Sequence, residues 1–297
     1  MSERVGIVGI GLMGSAISGN LLDAGYEVQG FDLDGKRVDE FVERGGISAD
    51  SPSTAADGVN WLITSLPTSD IVREVIFGNN GIMESAKEGL ILADATTSRP
   101  EDSERLGKEL AEKGIRFLDA AVSGTSAMAW KKDLIIIAGG EQEDFDACKP
   151  YFDGFSRASY LMGAVGSGAL TKLIINLVLA GNRLALAEAL SLGTKAGMEL
   201  NNLLEVLQDG ACSSKTMIDK GPKMINGDYS PEGLIKISLK DSRLMLEQGQ
   251  RFGSPMLMTS IWSQLAQNAY ENGHAERDSV AVFEVLRKMA GLPERFD

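Results

Sequence analysis

The sequence predicts an α/β domain built on a doubly wound, mostly parallel sheet, followed by an all-α domain. Three observations support this prediction. Short apolar runs alternate with helical patterns in the first half, a glycine-rich turn joins the first run to the first helix, and strand-like runs end near Gly163. The 297 residues suit two domains because single cores rarely exceed ~250–300 residues. We expect these domains to be residues 1–162 and residues 163–297.

Six short runs, most of them rich in Val, Ile and Leu, predict the strands of the first domain. Such runs are typical of parallel strands that are buried on both faces of a sheet. They comprise residues 5–10, 27–31, 61–64, 90–93, 116–118 and 134–137. Helical patterns between them comprise residues 15–24, 36–44 and 101–113, with a further helix through Val72 and Val75. Because strands and helices alternate, the sheet should be parallel.

The second domain is predicted to be helical, since no convincing strand pattern follows Gly163. Its helical patterns comprise residues 169–196, 201–207, 239–251, 254–271 and 279–290. They are punctuated by Gly193, Gly197, Gly221-Pro222 and Gly253. The most apolar stretch, residues 173–192, contains Asn176 and Arg183. We therefore expect a buried helix there and not a membrane span.

Composition argues against several classes of protein. The formal net charge is -13, and no basic run is interleaved with aromatic residues, so we expect no nucleic-acid partner. The one histidine, His274, and two cysteines without CxxC spacing do not make a zinc site, so we expect no metal. The first residues lack a signal-peptide pattern, and two unpaired thiols suit a reducing compartment. The expected location is therefore the cytoplasm, with no membrane partner.

A glycine-rich segment follows the first predicted strand and opens the first helix. It reads Gly9-Ile10-Gly11-Leu12-Met13-Gly14 and matches the pattern G-x-G-x-x-G. In this context the first glycine permits a tight turn, the second permits the approach of a pyrophosphate, and the third permits close packing of helix and strand. The helix N-terminus then offers N–H groups and a positive partial charge to phosphates. The segment predicts a dinucleotide cofactor.

An acidic residue at the end of the second strand bears on the choice of cofactor. Asp32 lies about 20 residues beyond the glycine-rich segment, where a carboxylate binds a ribose 2′-hydroxyl and repels a 2′-phosphate. This position favours NAD. Lys36 and Arg37 lie close by and could offset the repulsion, so NADP stays possible. The alternative interpretation is that Asp32 only caps a turn with Asp34 and Gly35.

A resemblance to the β-hydroxyacid dehydrogenase family extends over the whole chain. Residues 119–124 resemble the family's D-A-P-V-S-G, and residues 163–176 resemble its G-x-x-G-x-G-x-x-x-K-x-x-x-N. Shorter matches occur in the first predicted helix, after two of the predicted strands and near the C-terminus. They are Asn20-Leu21-Leu22, Ser65-Leu66-Pro67, Asp94, Thr96-Thr97, Pro100, Lys240-Asp241 and Asp278. Several spaced motifs in the family's order make this match more specific than the glycine-rich segment alone.

This resemblance carries expectations about fold and partners. The family includes 3-hydroxyisobutyrate dehydrogenases and semialdehyde reductases, and it implies a Rossmann domain that binds NAD or NADP, followed by an all-α domain for substrate binding and oligomerisation. It also implies a small carboxylate-bearing substrate. A homodimer or homotetramer is expected on the same basis.

Lys172 and Asn176 are the candidate catalytic residues. Lys172 stands among apolar residues at the start of a predicted helix, where partial desolvation suits an amine to proton transfer. Position alone equally fits a lysine whose amine reaches water along the helix edge, and it is the resemblance that implies a general acid and base. Asn176 is four residues further on and shares its helix face. The resemblance implies that Asn176 orients the substrate, whereas the alternative is a bond to a backbone carbonyl.

Ser123, Gly124 and Thr125 are the candidate substrate-binding residues. A serine hydroxyl beside a glycine N–H can hold a carboxylate, and the resemblance implies this use for Ser123 and Gly124. The alternative is a simple turn. Thr125 stands where the family has a second glycine, Ala121 replaces a usual proline, and Lys132-Asp133 replaces a common Gly-Thr pair. These departures leave the identity of the substrate open.

The remaining cofactor contacts are implied by the family match. Leu66, Pro67 and Thr97 are expected to line the cofactor cleft, and Lys240 is expected to lie near the nicotinamide. Local turn chemistry is the alternative for the first three, and a solvated helix charge is the alternative for Lys240.

Together these residues predict an oxidoreductase that transfers a hydride between NAD and a small 3-hydroxy acid or its semialdehyde. The alternative enzyme is an NADPH-dependent reductase of small aldehydes such as glyoxylate or succinic semialdehyde. A dinucleotide-binding module without catalysis is less favoured, because such modules usually lack a lysine at the position of Lys172.

Overall fold

The computed structural model describes residues 3–293 and 295. The chain divides into two compact units, Met1–Lys172 and Leu173–Asp297. This division falls inside one long helix. The domain boundary that we place at residues 162 and 163 therefore stays a prediction.

An eight-stranded sheet forms the centre of the first unit. Its spatial order is β3-β2-β1-β4-β5-β6-β7-β8. The strands are β1 (Arg4–Val8), β2 (Glu27–Phe31), β3 (Ile47–Ser48), β4 (Trp61–Thr64), β5 (Ile91–Asp94), β6 (Arg116–Ser123), β7 (Ile135–Gly139) and β8 (Ala158–Leu161). All neighbouring strands pair in parallel except β6 and β7, which are antiparallel. The predicted doubly wound, mostly parallel sheet is thus confirmed.

Helices cover both faces of this sheet. They are α1 (Leu12–Asp23), α2 (Gly35–Glu43), α3 (Pro52–Ala56), α4 (Ser69–Phe77), α5 (Pro100–Ala111), α6 (Ser126–Trp130) and α7 (Gln142–Phe155), with a 3₁₀ turn at Ile82–Glu84. Successive strand residues point to opposite faces, so Ile7 and Ile63 enter one apolar core whereas Val8 and Leu62 enter another. Burial on both faces explains why these strands appear in the sequence as continuous apolar runs.

The second unit is helical. Its helices are α8 (Ser167–Lys195), which begins in the first unit, α9 (Leu200–Asp209), α10 (Lys215–Asn226), α11 (Ile235–Phe252), α12 (Leu257–Ala269) and α13 (Val282–Met289). A π turn at Tyr270–His274 and a 3₁₀ turn at Ser279–Ala281 complete it. In the described part of the chain beyond Gly163, the only β pairing is an isolated bridge between Leu234 and Asp278.

Helix α10 corrects one local expectation. Gly221-Pro222 predicted a helix break, yet both residues lie inside α10. A Cβ atom at Gly221 would lie 2.6 Å from Cδ1 of Leu204 on α9. The glycine therefore permits close packing of α10 against α9, and this tertiary contact outweighs the local preference of the pair.

Helix α8 is long and apolar enough to cross a membrane by length and composition, with a mean hydropathy of 1.5 in its most apolar window. Its residues Leu184, Leu186 and Leu190 are nevertheless buried in the core of the helical unit, against Trp262 and Phe283. This packing is typical of a core helix in a globular unit, as Asn176 and Arg183 in its sequence predict.

Candidate active site

The glycine-rich segment forms the tight connection between β1 and α1. Gly9 adopts a φ of +96°, and a Cβ atom there would lie 2.3 Å from the carbonyl oxygen of Ser65. A Cβ atom at Gly14 would lie 1.9 Å from the carbonyl oxygen of Gly9. These two glycines are required by the fold itself, as the sequence pattern predicts.

Gly11 differs from the other two glycines. It is the N-cap residue of α1, with no side chain to cap the helix, and an ideal Cβ atom there would meet no heavy atom within 4 Å. Leu12 is 67% exposed beside it, while Met13 packs against the core. The loop therefore leaves space in front of an uncapped helix N-terminus. This space is a feature of the chain that fits the pyrophosphate of a dinucleotide.

Asp32 is fixed at the end of β2 by two backbone groups. Its Oδ2 atom accepts a hydrogen bond from the N–H of Ile10 at 2.6 Å, and Oδ1 accepts one from the N–H of Asp34 at 2.9 Å. The second bond is the local turn contact that the alternative interpretation describes. The first is a link to the glycine-rich loop, which places the carboxylate beside the N-terminus of α1.

The segments after β4 and β5 are joined by hydrogen bonds. The N–H of Leu66 donates to Oγ1 of Thr96 at 3.1 Å, and the Thr64 hydroxyl donates to Oδ1 of Asp94 at 2.8 Å. Pro67 is exposed, and Thr97 is half-buried. Asp94 thus holds the carboxyl ends of β4 and β5 in place, at the edge of a parallel sheet where ligands bind.

The predicted substrate-binding residues follow the end of β6. Ser123 is the last residue of β6 and pairs with Ile135 on β7. Gly124 adopts a φ of +141°, which favours glycine, and Thr125 caps α6 by accepting a hydrogen bond from the N–H of Met128 at 3.2 Å. The Thr125 hydroxyl keeps its own hydrogen for donation.

The short helix α6 is held against α1. Asn20 donates to the carbonyl oxygen of Ala129 at 2.7 Å. The Arg44 guanidinium lies 4.6 Å from the centroid of the Trp130 ring, which also packs on Gly19. The segment that begins at Ser123 is therefore supported by one buried hydrogen bond from α1 and by a contact between Arg44 and Trp130 at the surface.

Two buried aspartates lie side by side on β5 and β6. Asp94 and Asp119 are direct partners in the parallel register, and both are 2% exposed. Burial raises the pKa of Asp94, against hydrogen bonds from Thr96 and Thr64 that lower it. Burial also raises the pKa of Asp119 to about 7, with a smaller contribution from the charge of Asp94.

The candidate catalytic residues lie on α8. Lys172 and Asn176 are one helical turn apart on the same face. The side-chain amide of Asn176 donates to Oδ2 of Asp241 on α11 at 2.9 Å, and Lys240 lies beside the same carboxylate, with Nζ 3.3 Å from Oδ1. The partner of Asn176 is therefore a carboxylate and not a backbone carbonyl.

Sequence patterns did not single out Asp241 and Asp119 as candidate site residues. Both were noticed only as parts of family motifs. Asp119 lies among apolar residues of β6, where a carboxylate is expensive to bury unless it is paired, and this signal could have marked it. Asp241 lies in a helix with several charged residues, so its sequence gives no such signal.

These features define a class: a protein with a nucleotide-binding sheet, a glycine-rich loop before a helix, and a lysine and an asparagine on one face of a long helix. Residues 4–164 match the family model described as the NAD binding domain of 6-phosphogluconate dehydrogenase. Residues 166–286 match the model described as NAD-binding of NADP-dependent 3-hydroxyisobutyrate dehydrogenase. The chain belongs to this family of NAD(P)-binding hydroxyacid dehydrogenases.

Three named relatives are similar to this chain over nearly its whole length. The chain is 32% identical over 284 residues to glyoxylate/succinic semialdehyde reductase 1 of Arabidopsis thaliana, covering 96% of this chain and 98% of the relative. It is 31% identical over 292 residues to 2-(hydroxymethyl)glutarate dehydrogenase of Eubacterium barkeri, covering 98% and 97%. The crystal structure of 3-hydroxyisobutyrate dehydrogenase from Salmonella typhimurium is similar with a TM-score of 0.87 at 26% identity, covering 96% of this chain and 100% of that one.

Proposed function

We propose that this protein transfers a hydride between NAD and a small 3-hydroxy acid or its semialdehyde, with Lys172 as the general acid and base. The observation that carries this proposal is the arrangement on α8. Lys172 and Asn176 share a face, and Asn176 is held by Asp241. One positioned proton-transfer group can serve as base in alcohol oxidation and as acid in the reverse reaction.

The chemistry follows from these residues. NAD, held by the glycine-rich loop and Asp32, would supply the acceptor for the hydride that leaves the carbinol carbon. Nζ of Lys172 takes the hydroxyl proton as the carbonyl forms, so the alcohol loses a hydride and a proton and becomes an aldehyde. In the reverse direction the ammonium group returns that proton to the oxygen. The Asn176 amide, oriented by Asp241, donates its other hydrogen to the substrate.

Substrate recognition is assigned to the end of β6. The Ser123 hydroxyl, the Gly124 N–H and the Thr125 hydroxyl offer three donors in consecutive residues. A carboxylate accepts several such bonds, and these bonds are stronger than bonds between neutral groups. Local donors are needed here because the net charge of -13 opposes the approach of an anion.

Charges around Asp32 favour NAD as the cofactor. Asp32 is held beside the loop by the N–H of Ile10, and Arg37 is engaged by Asp34, with Nε 3.4 Å from Oδ2. Arg37 is therefore partly neutralised as a partner for a 2′-phosphate. Lys36 is exposed nearby and supports the second candidate, an NADPH-dependent reductase of small aldehydes.

The assembly and location are proposed as well. Ile174, Val178 and Leu192 form an exposed apolar stripe along α8, on the side opposite Lys172 and Asn176. An exposed apolar stripe of this kind suits an interface, and we assign it to the interface of a homodimer or homotetramer. We propose the cytoplasm as the location of this assembly.

The experiment is a substrate panel monitored by the near-ultraviolet absorbance of reduced nicotinamide. NAD and NADP are each paired with 3-hydroxyisobutyrate, 3-hydroxypropionate, glycerate, 4-hydroxybutyrate and threonate, with the matching semialdehydes for the reverse direction. Turnover of one acid with NAD is the expected result. Turnover only with NADPH and small aldehydes would support the second candidate. No turnover with any pair, while cofactor still binds, would contradict both.

A further inference from the structure

A buried carboxylate joins β6 to the helix that carries Lys172. Oδ1 of Asp119 accepts a hydrogen bond from the N–H of Gly166 at 2.9 Å, and Oδ2 accepts one from the N–H of Ala169 at 2.6 Å. Because α8 begins at Ser167, these N–H groups lie at its N-terminus, where the first N–H groups have no helical acceptors of their own. We infer that Asp119 is a positioning residue that fixes the first turn of α8 on the sheet and thereby orients Lys172.

Asp119 takes the place of a missing cap. An N-cap side chain normally accepts the N–H two or three residues further on. Gly166, which precedes the helix, has no side chain and adopts a φ of +97°. The cap is therefore supplied from β6, and the direction of α8 depends on a strand 47 residues earlier in the chain.

The backbones around this cap approach closely. A Cβ atom at Gly168 would lie 2.5 Å from the carbonyl oxygen of Asp119 and 2.6 Å from that of Ile137. A Cβ atom at Gly139 on β7 would lie 2.4 Å from Oδ1 of Asp119. The first turn of α8 thus rests directly on β6 and β7. Any side chain at these glycines would move the helix or displace the carboxylate.

Lys172 lies three residues after Ala169, on the next turn of the same helix. Because a helix transmits a change of its axis to every later residue, loosening the first turn changes where the amine of Lys172 lies. A displacement of about 1 Å at a reacting group reduces rate by up to ~100-fold. Asp119 acts on Lys172 in this way without being a catalytic residue.

The energetics support a positioning function. A fully buried carboxylate is costly, and burial raises the pKa of Asp119 to about 7. Two charged groups face Asp119. Asp94 on β5 raises the pKa of Asp119 further, and the carboxylate of Glu104 on α5 lies beside Gly166. A serine at this position would cap one N–H at lower cost. The carboxylate, in contrast, holds two N–H groups at once when it is ionised.

This inference rests on the proposed function of Lys172, and the test separates the two. We would compare wild-type protein with Asp119→Asn, Lys172→Ala and a matched control, Asp144→Asn. Asp144 is a buried carboxylate of the same unit that is hydrogen-bonded to Arg116. Asparagine at residue 119 keeps one acceptor oxygen but turns an NH₂ group toward the other N–H, so one of the two bonds is lost.

For Asp119→Asn we expect kcat to fall ~10- to ~100-fold, with KM for NAD little changed, and amide exchange at residues 166–172 to accelerate. Asp144→Asn should change neither kcat nor this exchange. In wild-type protein, the protection of the same amides should rise as pH falls through about 7, because opening the first turn exposes Asp119 and returns its pKa to the ordinary value. Asp119→Asn should lack this dependence on pH. Because this series needs only the wild-type protein, it tests the inference even if Asp119→Asn does not fold.

Three results would overturn these assignments, two of them against Asp119 and one against Lys172. If Lys172→Ala is inactive but Asp119→Asn keeps the wild-type kcat and amide protection, Asp119 does not position the helix. Wild-type amide protection at residues 166–172 that is independent of pH would have the same meaning. If Lys172→Ala turns over at the wild-type rate, the proposed function of Lys172 fails whatever Asp119 does.

Discussion

Asn176 on α8 is bonded to Asp241 on α11, with Nδ2 2.9 Å from Oδ2. The two residues are 65 positions apart in the chain, and the bond fixes which hydrogen of the amide is left for a substrate. Asp241 is 7% exposed, and its other oxygen faces Lys240. The Asp241 carboxylate therefore stabilises the orientation of the Asn176 amide and that of the Lys240 ammonium group.

Removing this amide should weaken substrate use. Asn176→Ala deletes the donor and leaves Asp241 with one partner fewer, a loss of about 1–3 kcal/mol. We expect kcat/KM for the hydroxy acid to fall ~10- to ~100-fold, since 1.4 kcal/mol is tenfold, while NAD affinity is unchanged. Steady-state kinetics measure this. Asn182→Ala, on another face of α8, is the control and should keep wild-type kinetics.

Substitutions at Gly14 and Gly11 should affect stability and cofactor binding differently. Gly14→Ala places a Cβ atom 1.9 Å from the carbonyl oxygen of Gly9, so we expect a loss of several kcal/mol of stability or no folded protein. Gly11→Ala meets no atom and should melt near the wild-type temperature while binding NAD more weakly. Thermal denaturation with and without NAD distinguishes them. Equal effects of both changes on melting would contradict this division.

Asp32 should set the preference between NAD and NADP. Asp32→Asn removes the charge that repels a 2′-phosphate, so the ratio of kcat/KM for NADP to that for NAD should rise ~10-fold or more. Asp39→Asn on α2 removes an exposed charge nearby and should leave the ratio unchanged. An unchanged ratio in Asp32→Asn would assign cofactor choice to other residues.

Asp119 should give the fold a characteristic pH dependence. Its pKa rises from 3.8 to about 7 on folding, so between these values the folded state binds the extra proton. Stability from this group is therefore present at low pH and is lost as pH rises through about 7. From about pH 8 to about pH 5, the free energy of unfolding of the wild type should increase relative to Asp119→Asn by roughly 2–3 kcal/mol. Urea titrations at several pH values test this sign, which a difference independent of pH would contradict.

Sequence patterns predicted what local physical chemistry determines. Strand β4 follows from an apolar run at the residues where it occurs, and Gly9 and Gly14 follow from the sterics of a tight turn. Helix α7 and strand β8 were missed. Pro150 lies inside α7, and β8 has a mixed composition, so tertiary packing decides both.

The candidate site was predictable only in part, because tertiary packing also decides which of its residues meet. Asp32, Ser123 and Lys172 stand in recognisable motifs, so their types and spacing reveal them. The bonds from Asp241 to Asn176 and from Asp119 to α8 join residues 65 and 50 positions apart. No periodicity links such residues, because their proximity is created by the packing of whole elements.

The central claim is that Lys172 moves the substrate proton, and single-turnover hydride transfer in Lys172→Ala tests it most directly. NAD affinity is measured on the same sample, and Lys195→Ala, an exposed lysine of the same helix, is the control. We predict a loss of ~100- to ~10,000-fold in the rate of hydride transfer, with NAD affinity unchanged and partial recovery with added small amines. A rate equal to that of Lys195→Ala would contradict the assignment of Lys172 and the mechanism built on it.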